Sequence, residues 1–146
     1  MEKVGLARAL TRYVAELFPD GHPRVRMRDR LTSALEGHTP LVLYRIAQEA
    51  MNNIHKHAQA STVTVTLSEA EQGVLLKVQD DGVGFNMQDA ARRALPGHLG
   101  MRSMHERAQV AGGWLNVESS PRKGTSVECW VPTFAAMTAE GSEPAV

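Results

Sequence analysis

The sequence predicts an α/β domain: a two-layer α/β sandwich in which about five strands form one sheet and three helices cover one of its faces. Three observations lead there. Apolar residues recur at helical spacing in three stretches bounded by Pro or Gly. Five short stretches alternate, or run apolar, in the manner of strands. The two kinds interleave along 146 residues, enough chain for one domain with its own core.

Residues 2–18 read as the first helix, because Val4, Leu6, Leu10, Val14, Leu17 and Phe18 recur near helical spacing and Pro19-Asp20-Gly21 stops the run. "RVRMR" (24–28) alternates Val25 and Met27 with arginines, as a half-buried strand does. Thr39-Pro40 opens a second helix, with Thr39 as N-cap and Pro40 at the first helical position, running to about His57. "STVTVTL" (61–67) is a strand with Val63, Val65 and Leu67 on one face, and "GVLLKVQ" (73–79) pairs with it. Residues 86–98, "NMQDAARRALPGH", have little periodicity and contain Pro96-Gly97, which predicts a mobile loop. "LGMRSMHERAQVAGG" (99–113) is the third helix, ended by Gly112-Gly113. "WLNVES" and "TSVECWV" close the sheet. The domain is expected over 1–132, with a small, polar, frayed tail over 133–146. Trp114 and Trp130 are expected to pack on their strands, Cys129 to be buried and inert, Met101 and Met104 to form a core stripe, and His105 and Glu106 to lie on the surface.

Bulk properties narrow the function. Acids and bases balance at 16 each, which argues against nonspecific nucleic-acid binding and against attachment to a membrane by charge. Cys129 stands alone, so no intrachain disulfide forms and a reducing compartment fits. No apolar run approaches the ~20 residues that span a bilayer. A cytoplasmic domain is expected, either whole or cut from something larger.

Three stretches carry candidate chemistry. In "DDGVGF" (80–85) a strand ends in two acids and two glycines. A hairpin turn accounts for one Asp-Gly pair; the second glycine calls for a backbone that passes close to another body. On the second helix, Leu43, Ile46, Ala47, Ala50 and Ile54 share the core arc, and Glu49, Asn52, Asn53 and Lys56 share the opposite one. That polar arc reads either as a solvated face or as a site. Adjacent asparagines are poor helix formers, and such a local cost often marks function. A carboxylate and an amide oxygen one turn apart suit Mg2+ with its waters, and the lysine beside them suits phosphate. In "GHLGM" (97–101), Gly97 and Gly100 flank the start of the third helix, where free N–H groups attract anions.

Together "EAMNNIHKHA", "DDGVGF", "GHLGMRSMHERA" and "GTSV" resemble, in order and spacing, the N, G1, G2 and terminal G boxes of the ATP-binding domain of bacterial histidine kinases. That domain belongs to the superfamily of DNA gyrase B, MutL and related heat-shock chaperones, and "LYRIAQEAMNNIHKHA" is similar to the nitrate-sensor class. The resemblance runs from about Gly5 to Pro132. It implies a Bergerat-type fold with a mixed sheet, and ATP and Mg2+ as ligands. Asp80 matches the carboxylate that reads the adenine amine, with Gly82 and Gly84 giving the backbone room beside the nucleotide and Asp81 in a turn role. Asn53 matches the Mg2+ ligand, and Glu49 the acidic position one turn earlier that orients water or metal. Lys56 and His57 are implied near the phosphates, and Gly97, His98, Leu99, Gly100 and Met101 in the segment that closes over them, with 86–98 as the ATP lid. Thr125 matches the residue that helps Asp80 hold adenine through water.

The resemblance also implies partners: a dimerisation domain of the same parent kinase that carries the phosphoaccepting histidine, and a response regulator downstream. None of His22, His38, His55, His57, His98 or His105 stands in a phosphoacceptor setting, so this chain is expected to be the catalytic domain alone, and monomeric. A stand-alone ATPase or anti-sigma-type serine kinase of the same superfamily, and a binding module that has lost catalysis, are the competing readings.

Overall fold

Strict alternation in "TVTVTL" places Val63, Val65 and Leu67 on one side of a strand, and all three are fully buried. That strand is central to the computed structural model of the protein, which describes residues 5–87 and 99–133, with residues 99 and 100 as backbone only. The elements in chain order are α1 (Leu6–Leu17), β1 (Arg24–Asp29), α2 (Thr39–Asn53), β2 (Thr62–Ala70), β3 (Gly73–Asp80), α3 (Leu99–Val110), β4 (Trp114–Ser119) and β5 (Thr125–Pro132). The five strands form one sheet in the order β1-β2-β3-β5-β4. Strand β1 runs parallel to β2, and the other neighbours are antiparallel, so the sheet is mixed.

Register carries the pattern across the sheet. Val65 pairs with Val78, Val78 with Val127, and Val117 with Val127, so one buried row crosses four strands. The helices pack on this face: Leu43, Ile46 and Ala47 of α2 and Met104 and Ala108 of α3 are buried there with Leu6 and Leu10 of α1. The expected two-layer α/β sandwich is the observed one.

Four local expectations need correction. The first helix spans Leu6–Leu17 rather than 2–18, with Val4 outside the described residues. Thr39 is already helical and His38 is the capping residue, without a side-chain cap bond; the Thr39 hydroxyl instead lies 3.4 Å from the carbonyl oxygen of Pro132. The second helix does not run evenly to His57. After Asn53 it widens into a π turn, Ile54–Ala58, that ends at Gln59 in the left-handed region. The reason is tertiary: the Ala58 carbonyl is drawn to the Val83 N–H, 2.7 Å away on the loop after β3. Trp114 is 47% exposed, because it lies on the open face of edge strand β4, where Leu115 and Val117 take the buried side.

Trp130, its partner in register, does pack: its indole N–H donates to the Ala70 carbonyl at 2.7 Å, and a Cβ at Gly73 would overlap its ring. Cys129 is buried, and burial pushes its thiol up to about 12. His105 and Glu106 are exposed. Among the described residues no helix is long and apolar enough to cross a membrane.

Candidate functional site

The end of β3 delivers Asp80 to the edge of the core. Alternation along "VLLKVQD" makes Val74, Leu76, Val78 and Asp80 share the helix-facing side. Asp80 is therefore a carboxylate at a position patterned for an apolar residue, and it is 6% exposed. Two backbone groups hold it: the Gly82 N–H donates to Oδ1 at 2.8 Å, and the Thr125 N–H also donates to the carboxylate. Burial raises its pKa; these two bonds oppose the rise, and neighbouring Asp81 adds to it. Asp81 points the other way. Its Oδ1 accepts from the N–H groups of Ser61 at 2.8 Å and Thr62 at 2.9 Å, which lowers its pKa while it stays exposed. Two adjacent acids thus do different jobs, one lining a cavity and one pinning the start of β2.

Asp80 lies on the wall of a cavity of about 400 Å³. Asn53 and His57 line it from α2 and the π turn, Val83 and Phe85 from the loop after β3, Met101 from α3 and Thr125 from β5. Among the described residues the walls are apolar apart from Asp80, Asn53, His57 and Thr125, with Val78 and Val127 exposed to the cavity from the sheet.

The close approach demanded by the second glycine is to protein backbone. A Cβ at Gly82 would overlap the Ala58 carbonyl, and one at Gly84, where φ is 63°, would overlap the Ser120 carbonyl. Gly82 is buried in this packing, and Gly84 itself lines the cavity. These glycines fit the loop against the π turn on one side and the β4–β5 connection on the other.

The polar arc of α2 divides. Asn53 faces the cavity, whereas the Asn52 Oδ1 accepts from the Tyr13 hydroxyl at 2.8 Å, across α1. Glu49 is not among the lining residues and is close enough to Tyr13 to help raise its pKa, after burial, which is the larger cause. Lys56 is exposed and also off the cavity wall, while His57 is on it. The π turn carries Lys56 further from Asn53, since a helical wheel at about 100° per residue no longer holds past Asn53, and leaves His57 on the same side. His55 turns to the other side, with its ring 5.6 Å from that of Phe18. Gly97 and His98 lie outside the described residues; Leu99 and Gly100 begin α3.

The sequence reading missed Ser119 and Gly124. The Ser119 hydroxyl is 2.8 Å from that of Thr125, and a Cβ at Gly124 would overlap the Asp80 carbonyl. The signal for Gly124 was present in "GTSV"; that for Ser119 was not, because its role depends on strand pairing with Thr125.

A bound adenine nucleotide and its metal suit this donor and acceptor set. The buried carboxylate has acceptor capacity beyond its two backbone bonds, and the apolar walls suit a flat ring. No cluster of three or more His, Cys, Asp or Glu able to hold a metal occurs among the described residues. A cation here would need phosphate oxygens and waters besides Asn53, which is the manner of Mg2+.

Known proteins agree in fold and sequence. The histidine kinase domain of the blue-light activated kinase EL346 of Erythrobacter litoralis has a TM-score of 0.72 over 98% of this chain and 68% of that one, at 23% identity. The chain is 33% identical over 122 residues to the sensor histidine kinase ComP of Bacillus subtilis (strain 168), covering 83% of this chain and 16% of ComP. It is 42% identical over 92 residues to the sensor histidine kinase LiaS of the same organism, covering 63% of this chain and 24% of LiaS. It therefore spans a quarter or less of the length of these two relatives. Residues 38–134, which hold Asn53, Asp80 and Thr125, match the family model itself, and the chain belongs to the histidine kinase-, DNA gyrase B- and HSP90-like ATPases.

Proposed function

We propose that this chain is the ATP-binding catalytic domain of a sensor histidine kinase. It binds Mg2+-ATP in the cavity between α2 and the β3–β5 end of the sheet. It then donates the γ-phosphate to a histidine on a separate dimerisation domain of the same parent, for relay to a response regulator. One observation carries the reading: a buried carboxylate, Asp80, held by two backbone N–H groups on the wall of a mostly apolar cavity. Such a group selects a ligand that brings its own N–H donor on a flat apolar ring, as adenine does.

The other residues take roles by position. Asn53 is the protein oxygen offered to the metal, and His57 meets phosphate from the same wall. Lys56, exposed beside them, adds positive charge. Glu49, one turn before Asn53, orients water or metal beside the phosphates. Mg2+ would neutralise charge developing between the β- and γ-phosphates. Gly97, His98, Leu99, Gly100 and Met101 contribute from the start of α3 and the segment before it, the ATP lid of our reading. Phosphoryl transfer rests on positioning and electrostatics, so this domain alone turns ATP over hardly at all. We place it on the cytoplasmic side of its parent, as a monomer when isolated, with no role in nucleic-acid binding.

The test is calorimetric titration of ATP and ADP, with and without Mg2+, into the wild-type chain and Asp80→Asn. Saturable binding that Asp80→Asn weakens about 100-fold is expected. A folded wild-type chain that binds neither nucleotide would refute the proposal.

A further inference from the structure

Proton counting around Ser119 leads beyond this assignment, although it rests on it. The Ser119 hydroxyl has one hydrogen and three polar neighbours. The Phe85 N–H, 2.9 Å away, can only donate to it. The Gly124 carbonyl, 3.0 Å away, can only accept from it. The third neighbour, the Thr125 hydroxyl at 2.8 Å, is able to do either. Ser119 spends its hydrogen on Gly124, so Thr125 must supply the hydrogen between the two hydroxyls. The reverse arrangement would set the lone pairs of Ser119 and the Gly124 carbonyl against each other at 3.0 Å.

The consequence reaches the cavity. With its proton committed to Ser119, the Thr125 hydroxyl has only lone pairs left to offer. Four neighbouring backbone donors are committed too: the N–H groups of Gly82 and Thr125 to Asp80, that of Val83 to Ala58, and that of Phe85 to Ser119. We propose that Ser119 is a positioning residue for base selection, which locks Thr125 as an acceptor so that Asp80 and Thr125 together demand a ligand edge that donates from its 6-position. An amino-purine supplies that edge. A 6-oxo-purine presents an acceptor oxygen there, and a locked Thr125 cannot turn its hydroxyl to meet it.

Inosine triphosphate is the probe, since it exchanges the 6-amino group for a 6-oxo group, with a hydrogen on N1 in place of a lone pair, and keeps the rest of the nucleotide. Mg2+-ATP and Mg2+-ITP are titrated calorimetrically into wild type, Ser119→Ala, Ser119→Thr and Asp80→Asn, with a thermal melt of each. Wild type is expected to prefer ATP. In Ser119→Ala the Thr125 hydroxyl is freed to rotate and donate, and the ATP-over-ITP preference falls about fivefold, mainly through tighter ITP binding. Ser119→Thr keeps the hydroxyl and restores the preference. A merely structural role would weaken both nucleotides equally. An unchanged ratio in folded Ser119→Ala, or no recovery in Ser119→Thr, overturns the proposal. If Ser119→Ala does not fold, Ser119→Cys decides: its thiol is a weak acceptor that releases the Thr125 hydroxyl and must lower the ratio in the same direction, and an unchanged ratio again overturns the proposal. A wild-type chain that binds ATP while the Ser119 variants fail these tests leaves the ATP site standing. One that binds neither nucleotide removes both.

Discussion

The two ends of the cavity are built from different materials. At the Asp80 end the contacts run through backbone: Gly82 and Thr125 hold the carboxylate, Val83 is tied to Ala58, and Gly82, Gly84 and Gly124 allow chain to lie on chain. At the α2 end the wall is side chain: Asn53 is half-buried, and His57, like Lys56 beside it, is exposed on the π turn. A flat base with fixed donors is best met by groups that cannot move, because little order has then to be imposed on binding. A flexible, hydrated polyphosphate is met by charged side chains that adapt to it. In the proposed site one end would set what binds and the other where its charge sits.

The comparison can be broken most directly at Asp80. Asp80→Asn puts an amide where the carboxylate accepts two N–H bonds, and should weaken ATP by about 3 kcal/mol, or ~100-fold, in calorimetry. It should also change the pH dependence of the nucleotide-free protein. The folded pKa of Asp80 is raised above the ordinary 3.8, so its contribution to stability is full below 3.8 and is lost as pH rises through the raised value. Asp81 has the opposite sign, with a contribution present above 3.8 and lost as pH falls through its lowered value. Denaturant melts across the acid range should show Asp80→Asn abolishing the first trend and sparing the second.

Gly82→Ala comes next. Its Cβ would overlap the Ala58 carbonyl, so the loop and the π turn must part, at about 2–3 kcal/mol of stability. If the midpoint of chemical unfolding does not move, the backbone-built character of this end is wrong. Asn53→Ala tests the other end more gently. It should leave Mg2+-free ADP binding nearly unchanged and remove most of the gain from Mg2+, roughly tenfold. The smallest effect is expected beside it. Tyr13→Phe removes the bond to Asn52 at about 1 kcal/mol of stability, with nucleotide affinity unaltered. Equal effects on binding from both variants would show that the two asparagines are not divided as described.

Much of this was legible before any coordinates. Alternation placed Val63, Val65 and Leu67, and the wheel placed Leu43, Ile46 and Ala47, because burial on one face is a periodic property of the chain. Asp80 was singled out as well, through the resemblance of "DDGVGF" to the G1 box. The π turn was not, since nothing in "IHKHA" demands it and its cause lies 25 residues on, in the Val83 N–H that claims the Ala58 carbonyl. The departure of Lys56 from the cavity wall goes with the same turn. Ser119 was hidden for a similar reason, because only the pairing of β4 with β5 brings its hydroxyl to Thr125.

Cys129 has a practical use. It is the only cysteine in the sequence, fully buried in β5, with its thiol pushed up to about 12. Thiolate is the reactive form, so maleimide dyes and spin labels at neutral pH should leave it untouched. A cysteine engineered on the exposed side of α3, at Arg102 for example, would then be the single labelling point in an otherwise native background. Movements near the mouth of the cavity could be followed by fluorescence without first rebuilding the core.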